Sequence, residues 1–202
     1  MSTFPVPNGC IAAIVTHLQM TAPAQVAAPQ LPRGGLALRR VTNPQVDWYL
    51  RLYRAVGEDW LWATRLFLTE RDLAAIIQDP AITIYAICDG EREIGIVELD
   101  WREAPDCEVV FFGLVADALG QGLGRWAMAE VQRLAFSNGA RRLWLHTCTL
   151  DHPGAVQFYQ AQGFHAFMRE IEIMEDPRLA GLTRPEAGAY HPILTPIPEP
   201  DV

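Results

Sequence analysis

Cysteine is scarce in this chain. Cys10, Cys88, Cys107 and Cys148 stand far apart with no C-x-x-C pair. That spacing excludes a disulfide framework and a zinc cluster, and it leaves buried free thiols as the simplest account of the three that fall in or beside strand-like runs. Long apolar runs are missing too, since no stretch approaches the ~20 residues of a membrane span. Cys10 to Val15 resembles the apolar part of a signal peptide, but it has six residues, no basic residue ahead of it and His17 close behind, so it reads as a strand. The expected location is the cytoplasm, with no membrane partner. Positive charge is outweighed, giving a formal net charge of −8. A nucleic-acid surface needs clustered cations and is therefore not expected. The same acidity suits a cationic partner, and it is equally the ordinary solubility charge of a globular protein. No metal site is expected: His146 and His152 lie six apart across a strand end, unlike a helical i, i+4 pair.

What is present fits one domain. Half of the 202 residues are apolar and a fifth are charged, as in ordinary soluble folds. Hydrophobic periodicity and turn residues predict strands at 10–20 and 36–40, a helix opened by Thr42 or Asn43 with Pro44 at its first position and closed by Gly57, and a second helix at 70–78 capped by Thr69. Three strands follow at 82–88, 93–101 and 107–115, joined by short turns and therefore an antiparallel meander. A helix after Gly124, a strand at 141–148, a helix from Pro153 and a strand at 164–174 complete the series. This order predicts an α+β fold: a mixed central sheet with an antiparallel meander, crossover helices on both faces and an extra N-terminal strand. Residues 1–35 read as that strand plus a Pro/Ala-rich arm, 36–174 as the functional domain, and 175–202 as an irregular tail with scope for motion, holding six of the fifteen prolines.

The chemistry-bearing stretch runs from Asp106 to Trp126. A strand-like run, Val109 to Val115, ends in Gly120-Gln121-Gly122-Leu123-Gly124, directly before a helical segment. Strand, glycine loop and helix start make a phosphate site, because the first-turn N–H groups point at the loop with no partner of their own. No Lys follows the glycines, which excludes a Walker A loop. The G-x-G-x-x-A spacing of Gly122 to Ala127 leaves a dinucleotide site open, with Asp151 near the place of a ribose acid, although an upstream meander departs from alternating βαβ units. A loop with a purely structural role is the third reading.

Two segments taken together carry more. Leu119-Gly120-Gln121-Gly122-Leu123-Gly124 is similar to the R/Q-x-x-G-x-G/A loop of the GCN5-related N-acetyltransferases. About thirty residues on, Ala155 to Phe164 (AVQFYQAQGF) resembles that family's A-x-x-F-Y-x-x-x-G-F signature. The resemblance implies that acetyl-CoA is the cosubstrate, with the loop and Arg125 at its pyrophosphate and the backbone around Phe112 and Leu114 at its thioester and pantetheine arm. It further implies Tyr159 as the general acid for the thiolate and Glu108 as the base, with Glu98 second. Gly113 is the expected bulge that lets the strands part. Leu119 stands where the family carries Arg or Gln, and His152 where it often carries Asn.

The implied acceptor is a small-molecule or peptide amine. A lysine-like amine has a pKa near 10.4, so neutralising it at pH 7 costs on the order of 4–5 kcal/mol, which is why a base is useful. No cysteine matches a cleft position that would suggest a covalent route, so direct attack in a ternary complex is expected. A non-catalytic acyl-CoA-binding or sensing module is the alternative. Trp48, Tyr49, Tyr53, Trp60 and Trp62 cluster where the family's acceptor cleft lies and divide between core and acceptor contacts. Strand edges leave a homodimer open.

Overall fold

The computed structural model describes residues 3–23 and 34–196. Most of the Pro/Ala-rich arm and the end of the tail lie outside the described residues. The strands are β1 (Cys10–Met20), β2 (Leu36–Val41), β3 (Ile82–Asp89), β4 (Arg92–Asp100), β5 (Asp106–Leu114), β6 (Arg142–Cys148) and β7 (His165–Glu175). The helices are α1 (Val46–Gly57), α2 (Glu70–Ile77), α3 (Leu123–Ser137) and α4 (Ala155–Ala161), with short 3-10 turns at Glu58–Trp60 and Ala116–Ala118. All seven strands form one sheet in the order β2-β3-β4-β5-β6-β1-β7. Every pair is antiparallel except β5 and β6. This is the expected α+β architecture, with the meander and the single parallel neighbour pair in place.

Alternation along β3 sorts the core into two layers. Ile82, Ile84, Ala86 and Cys88 pack with Tyr49, Leu52, Tyr53 and Val56 of α1 and Leu73 and Ile77 of α2. Tyr85 and Ile87 point the other way, into the layer that holds Ala127, Met128 and Val131 of α3 and Tyr159 of α4. Period-2 strands against period-3.6 helices make this segregation automatic. The N-terminal strand inserts between β6 and β7, pairing with both. Its buried Leu18 and Met20 then join Leu143 and Leu145 in the α3 layer.

Two expectations on local structure change. The first helix begins at Val46, with Gln45 at the N-cap position, and not at Pro44. Asn43 sits at φ 52°, in the left-handed region that asparagine enters more readily than most residues, and Gln78 Nε2 donates to the Pro44 carbonyl at 3.1 Å. The bulge in β5 lies at Val110, which is skipped where Glu98 pairs with Phe111 and Leu99 with Val109. Gly113 serves close packing instead: a Cβ there would meet Val56 Cγ1 at 2.4 Å. Thr69 behaves as expected, its hydroxyl accepting from the Asp72 N–H at 3.2 Å.

The tail is irregular and yet anchored as far as Leu194, whose carbonyl accepts from the Gly9 N–H at 2.7 Å. Arg178 is buried, donates to both carboxylate oxygens of Asp176, and also reaches the carbonyls of Ala187 and His191. Ala187 packs with Leu61, Leu150, Ile11 and Ala13, and the Gly188 N–H donates to the Asp59 carbonyl. Among the described residues no helix is long and apolar enough to cross a membrane.

Candidate active site

The parallel pairing of β5 and β6 covers Asp106↔Arg142, Cys107↔Leu143 and Glu108↔Trp144 and then stops. Beyond that point β5 runs on to Leu114 and β6 to Cys148, so the two strands splay. Beyond Glu108 the β6-facing edge of β5 has no strand partner among the described residues, and its N–H and C=O groups are available to a bound chain or a carbonyl. A cleft of about 400 Å³ occupies this opening. Phe112, Gly113 and Leu114 of β5 and Leu119 of the loop line it on one side, Ala155, Tyr159 and His152 on the α4 side, and Tyr53 of α1 with Trp60, Trp62 and Arg65 of the following loop on the third.

The glycine loop opens α3. Gly120 and Gly122 adopt φ 74° and 77°, the left-handed region where a Cβ is penalised, and nothing lies within 4 Å of where that Cβ would stand. The requirement is thus conformational, with open space above the backbone. Gly122 is the N-cap position, and the first-turn N–H groups of Leu123, Gly124 and Arg125 face the loop without capping by the Gly122 position's side chain. Gly124 is different: a Cβ would touch Phe158 at an ordinary 3.6 Å. A cradle of this shape fits a pyrophosphate. Gln121 turns its amide back onto the Asp117 carbonyl at 2.8 Å, and Arg125 is exposed in the first turn. Leu119 is 43% exposed.

Tyr159 sits deep. Phe112, Phe158 and Phe164 surround its ring, and burial, then the charge of Asp151, pushes its phenol well above the ordinary value. It is therefore fully protonated at neutral pH. His152 spends Nδ1 on the Gly154 N–H at 3.0 Å and meets Trp60 edge-on, which makes it a turn-fixing residue of the cleft wall. Asp151 has both oxygens engaged: Oδ1 accepts from Trp62 Nε1, and Oδ2 from Thr147 Oγ1 and the Cys148 N–H. It latches the aromatic loop to the end of β6.

The two carboxylates considered as bases separate. Glu98 is wholly buried beneath the cleft, accepting from Tyr49 Oη at 2.5 Å and Arg65 Nη2 at 2.6 Å. Burial pulls the Arg65 pKa down, but the Glu98 charge, the Tyr49 hydroxyl and the hydrogen bonds to both outweigh it, so the net shift is upward. Glu98 is thus half of a structural ion pair. Glu108 does not itself line the cleft. Its Oε1 lies 3.4 Å from His146 Nδ1, and His146 does line it. In the sequence His146 is set aside only as a metal ligand, because its strand position gives no sign of a carboxylate one strand away. Cys148, expected as a buried free thiol away from the cleft, lines it, but its thiol is pushed up to about 11 by burial and then by Asp151. A thiol so held stays neutral and is a poor nucleophile. Of the five aromatic residues, Tyr53, Trp60 and Trp62 reach the cleft, while Tyr49 is core and Trp48 donates to Glu93. Among the described residues no group of three His, Cys, Asp or Glu could hold a metal ion.

Comparison with known proteins places this geometry. No curated protein sequence matches the chain. Solved structures do. A GCN5-related N-acetyltransferase from Sphaerobacter thermophilus is similar with TM-score 0.60 and 19% identity, over 81% of this chain and 52% of that one. A GCN5-related N-acetyltransferase from Kribbella flavida gives TM-score 0.55 and 20% identity over 86% and 63%. An aminoglycoside acetyltransferase from an uncultured soil metagenomic sample gives 0.54 and 12% over 65% and 90%. The chain spans about half to two thirds of the length of the first two, and at these identities the likeness is one of fold. The acetyltransferase (GNAT) family model matches residues 46–164, more than half of the sequence. The chain belongs to the GNAT family of acetyltransferases.

Proposed function

We propose that the protein is an acetyl-CoA-dependent N-acetyltransferase that moves an acetyl group to a primary amine by direct attack in a ternary complex. The observation that carries this reading is the splay of β5 from β6 beyond the Glu108↔Trp144 pair, which opens between the α3 glycine loop and an aromatic cleft holding Tyr159. In this reading Gly120, Gln121, Gly122, Leu123, Gly124 and Arg125 hold the pyrophosphate. The open edge of β5 at Phe112 and Leu114 takes the pantetheine arm and polarises the thioester carbonyl. Tyr159 protonates the departing thiolate. From ordinary pKa values that transfer is uphill by only ~2 kcal/mol. The raised phenol does not add to it in proportion, since the dry surroundings that raise Tyr159 raise a neighbouring thiolate as well. The raised Cys148 thiol favours direct attack over a covalent enzyme intermediate.

Leu119 favours a second reading, a module that binds acyl-CoA without efficient turnover, because an exposed leucine stands where the family carries a polar phosphate contact. Thiol release from acetyl-CoA over spermidine, benzylamine, a lysine peptide and an aminoglycoside separates the two. The enzyme reading predicts release with at least one amine, and a Tyr159→Phe variant with lowered kcat and unchanged acetyl-CoA affinity. Acetyl-CoA binding with no thiol release from any amine would favour the module.

A further inference from the structure

We propose that His146, oriented by Glu108, is the group that accepts the proton of the attacking amine. The proposal rests on the acetyltransferase reading and names its base. His146 stands two residues beyond Trp144, the last β6 residue paired with β5, and so on the same face of the sheet just where the strands part. Nδ1 is turned to Glu108 Oε1 at 3.4 Å, and Nε2 has no hydrogen-bond partner among the described residues. A carboxylate on one ring nitrogen fixes the tautomer and leaves the lone pair on the other. The side chain is 43% exposed and lines the cleft that also holds Tyr159. Base and acid thus approach one cavity from β6 and α4. Catalytic contacts of this kind are commonly long without substrate and tighten when it binds.

The surroundings suit a ring that gains a proton during reaction. Glu108 faces it from β5 and Asp151 from the end of β6, while Glu172 approaches from β7. On β1, His17 lies directly opposite in register with ring centroids 5.7 Å apart, and its own Nε2 is held by Glu170 at 2.7 Å. Arg65, the cation of the cleft lining, is committed to Glu98. The contact with Glu108 lifts the His146 pKa above the ordinary histidine value, outweighing the opposing effect of burial. The neutral ring, which is the competent base, therefore builds up at higher pH than for a free histidine.

The balance of the step is simple. The neutral amine forms a C–N bond to the acetyl carbon and the C–S bond breaks. One amine proton passes to His146 Nε2, and the thiolate takes a proton from the Tyr159 hydroxyl. Water returns the proton from the imidazolium to the phenolate, leaving the amide and free thiol as net products. Glu108 touches neither reactant and acts as a positioning residue.

Two measurements test this on the full chain. In histidine-selective NMR titrations, one imidazole should titrate above ~6.5, vanish in His146→Asn and move to lower pH in Glu108→Gln. Thiol release from acetyl-CoA is then followed against pH with benzylamine as the probe. His146→Asn should lose the acid limb of the profile and about a hundredfold or more in kcat, with acetyl-CoA affinity and melting temperature unchanged. Glu108→Gln should keep the limb and shift it to lower pH. An acid limb that persists in His146→Asn, or a His146 titration indifferent to Glu108→Gln, overturns the proposal and leaves the acetyltransferase reading standing. Failure of the wild type to bind acetyl-CoA would instead sink that reading, while the NMR titration still reports on the His146–Glu108 pair.

Discussion

At the scale of single residues, the same side-chain type takes opposite roles according to where the backbone places it. Glu98 and Glu108 are both strand glutamates one strand apart, and in sequence they look alike. Glu98 lies fully buried between Tyr49 and Arg65, whereas Glu108 lies at the edge of the splay beside His146. Breaking a buried pair by removing one charge costs about 3–5 kcal/mol, because the other charge stays behind without compensation. Glu98→Gln should therefore lower the unfolding free energy by roughly that amount in denaturant titrations, with the pH–rate profile of the surviving enzyme unmoved. A shifted profile at unchanged stability would make Glu98 the base after all. The glycine loop and the Phe158–Tyr159 pair stand out in the sequence because each belongs to a local motif, and Glu108 only by its place on a strand. The neighbourhood of His146 does not stand out, since Glu108 is brought near it by a strand pairing, Glu108↔Trp144, between residues 36 apart in the chain.

Among the elements, α3 and its loop show why two glycines of one motif differ. Gly122 is held at φ 77° with empty space around it, whereas Gly124 is helical with an ordinary contact to Phe158. An alanine in the left-handed region costs about 1–2 kcal/mol, which corresponds to a factor of roughly 5–30 in an equilibrium. Gly122→Ala should weaken acetyl-CoA binding by about that factor in calorimetry, and Gly124→Ala should bind as the wild type does. Equal losses in both would mean that crowding, and not backbone conformation, selects glycine here. Strand and helix positions were readable from periodicity to within a residue or two for β1, α2 and β5. The bulge was not, because it follows from the register of β4 against β5, where Val110 drops out of the ladder and Gly113 is needed under Val56. The start of α1 was misplaced because the N-cap position falls on Gln45, which makes no side-chain capping bond that would mark it, and not on Thr42 or Asn43.

For the whole molecule, the tail matters more than its composition suggests. Prolines and missing periodicity indicate irregular backbone, and the backbone is irregular. Composition says nothing of Asp176 and Arg178, whose buried pair pins the segment while Ala187 packs on Leu61 and Arg184 pairs with Glu58 and Asp59. The tail thereby braces the loop that carries Trp60 and Trp62 into the cleft. Hydrogen bonds from Arg178 hold the Asp176 carboxyl below the usual carboxylate range against the opposing effect of burial. A group depressed in the folded state contributes stability that is present above its unfolded pKa, about 3.9, and is lost as pH falls through the folded value. Asp176→Asn should lower stability at neutral pH and flatten the loss of stability in this acidic range, as read by melting temperature against pH. A variant whose acid dependence matches the wild type would show that the pair contributes nothing to this window. The sequence holds no lysine, its sixteen Lys-or-Arg positions all being arginine, so no lysine side chain of this chain competes with an added amine for acetyl groups.

The central claim is that the glycine loop and the splayed strands form one site for acetyl-CoA, and thermal unfolding with ligand tests it most directly. At a hundredfold excess over Kd, acetyl-CoA should stabilise the protein by about 2.7 kcal/mol. For a chain of this size that is a rise of roughly 5–10 °C in Tm. Coenzyme A should act similarly, NAD should have no effect, and the Gly122→Ala protein should need more ligand for the same shift. Stabilisation by NAD with none from acetyl-CoA would contradict the account.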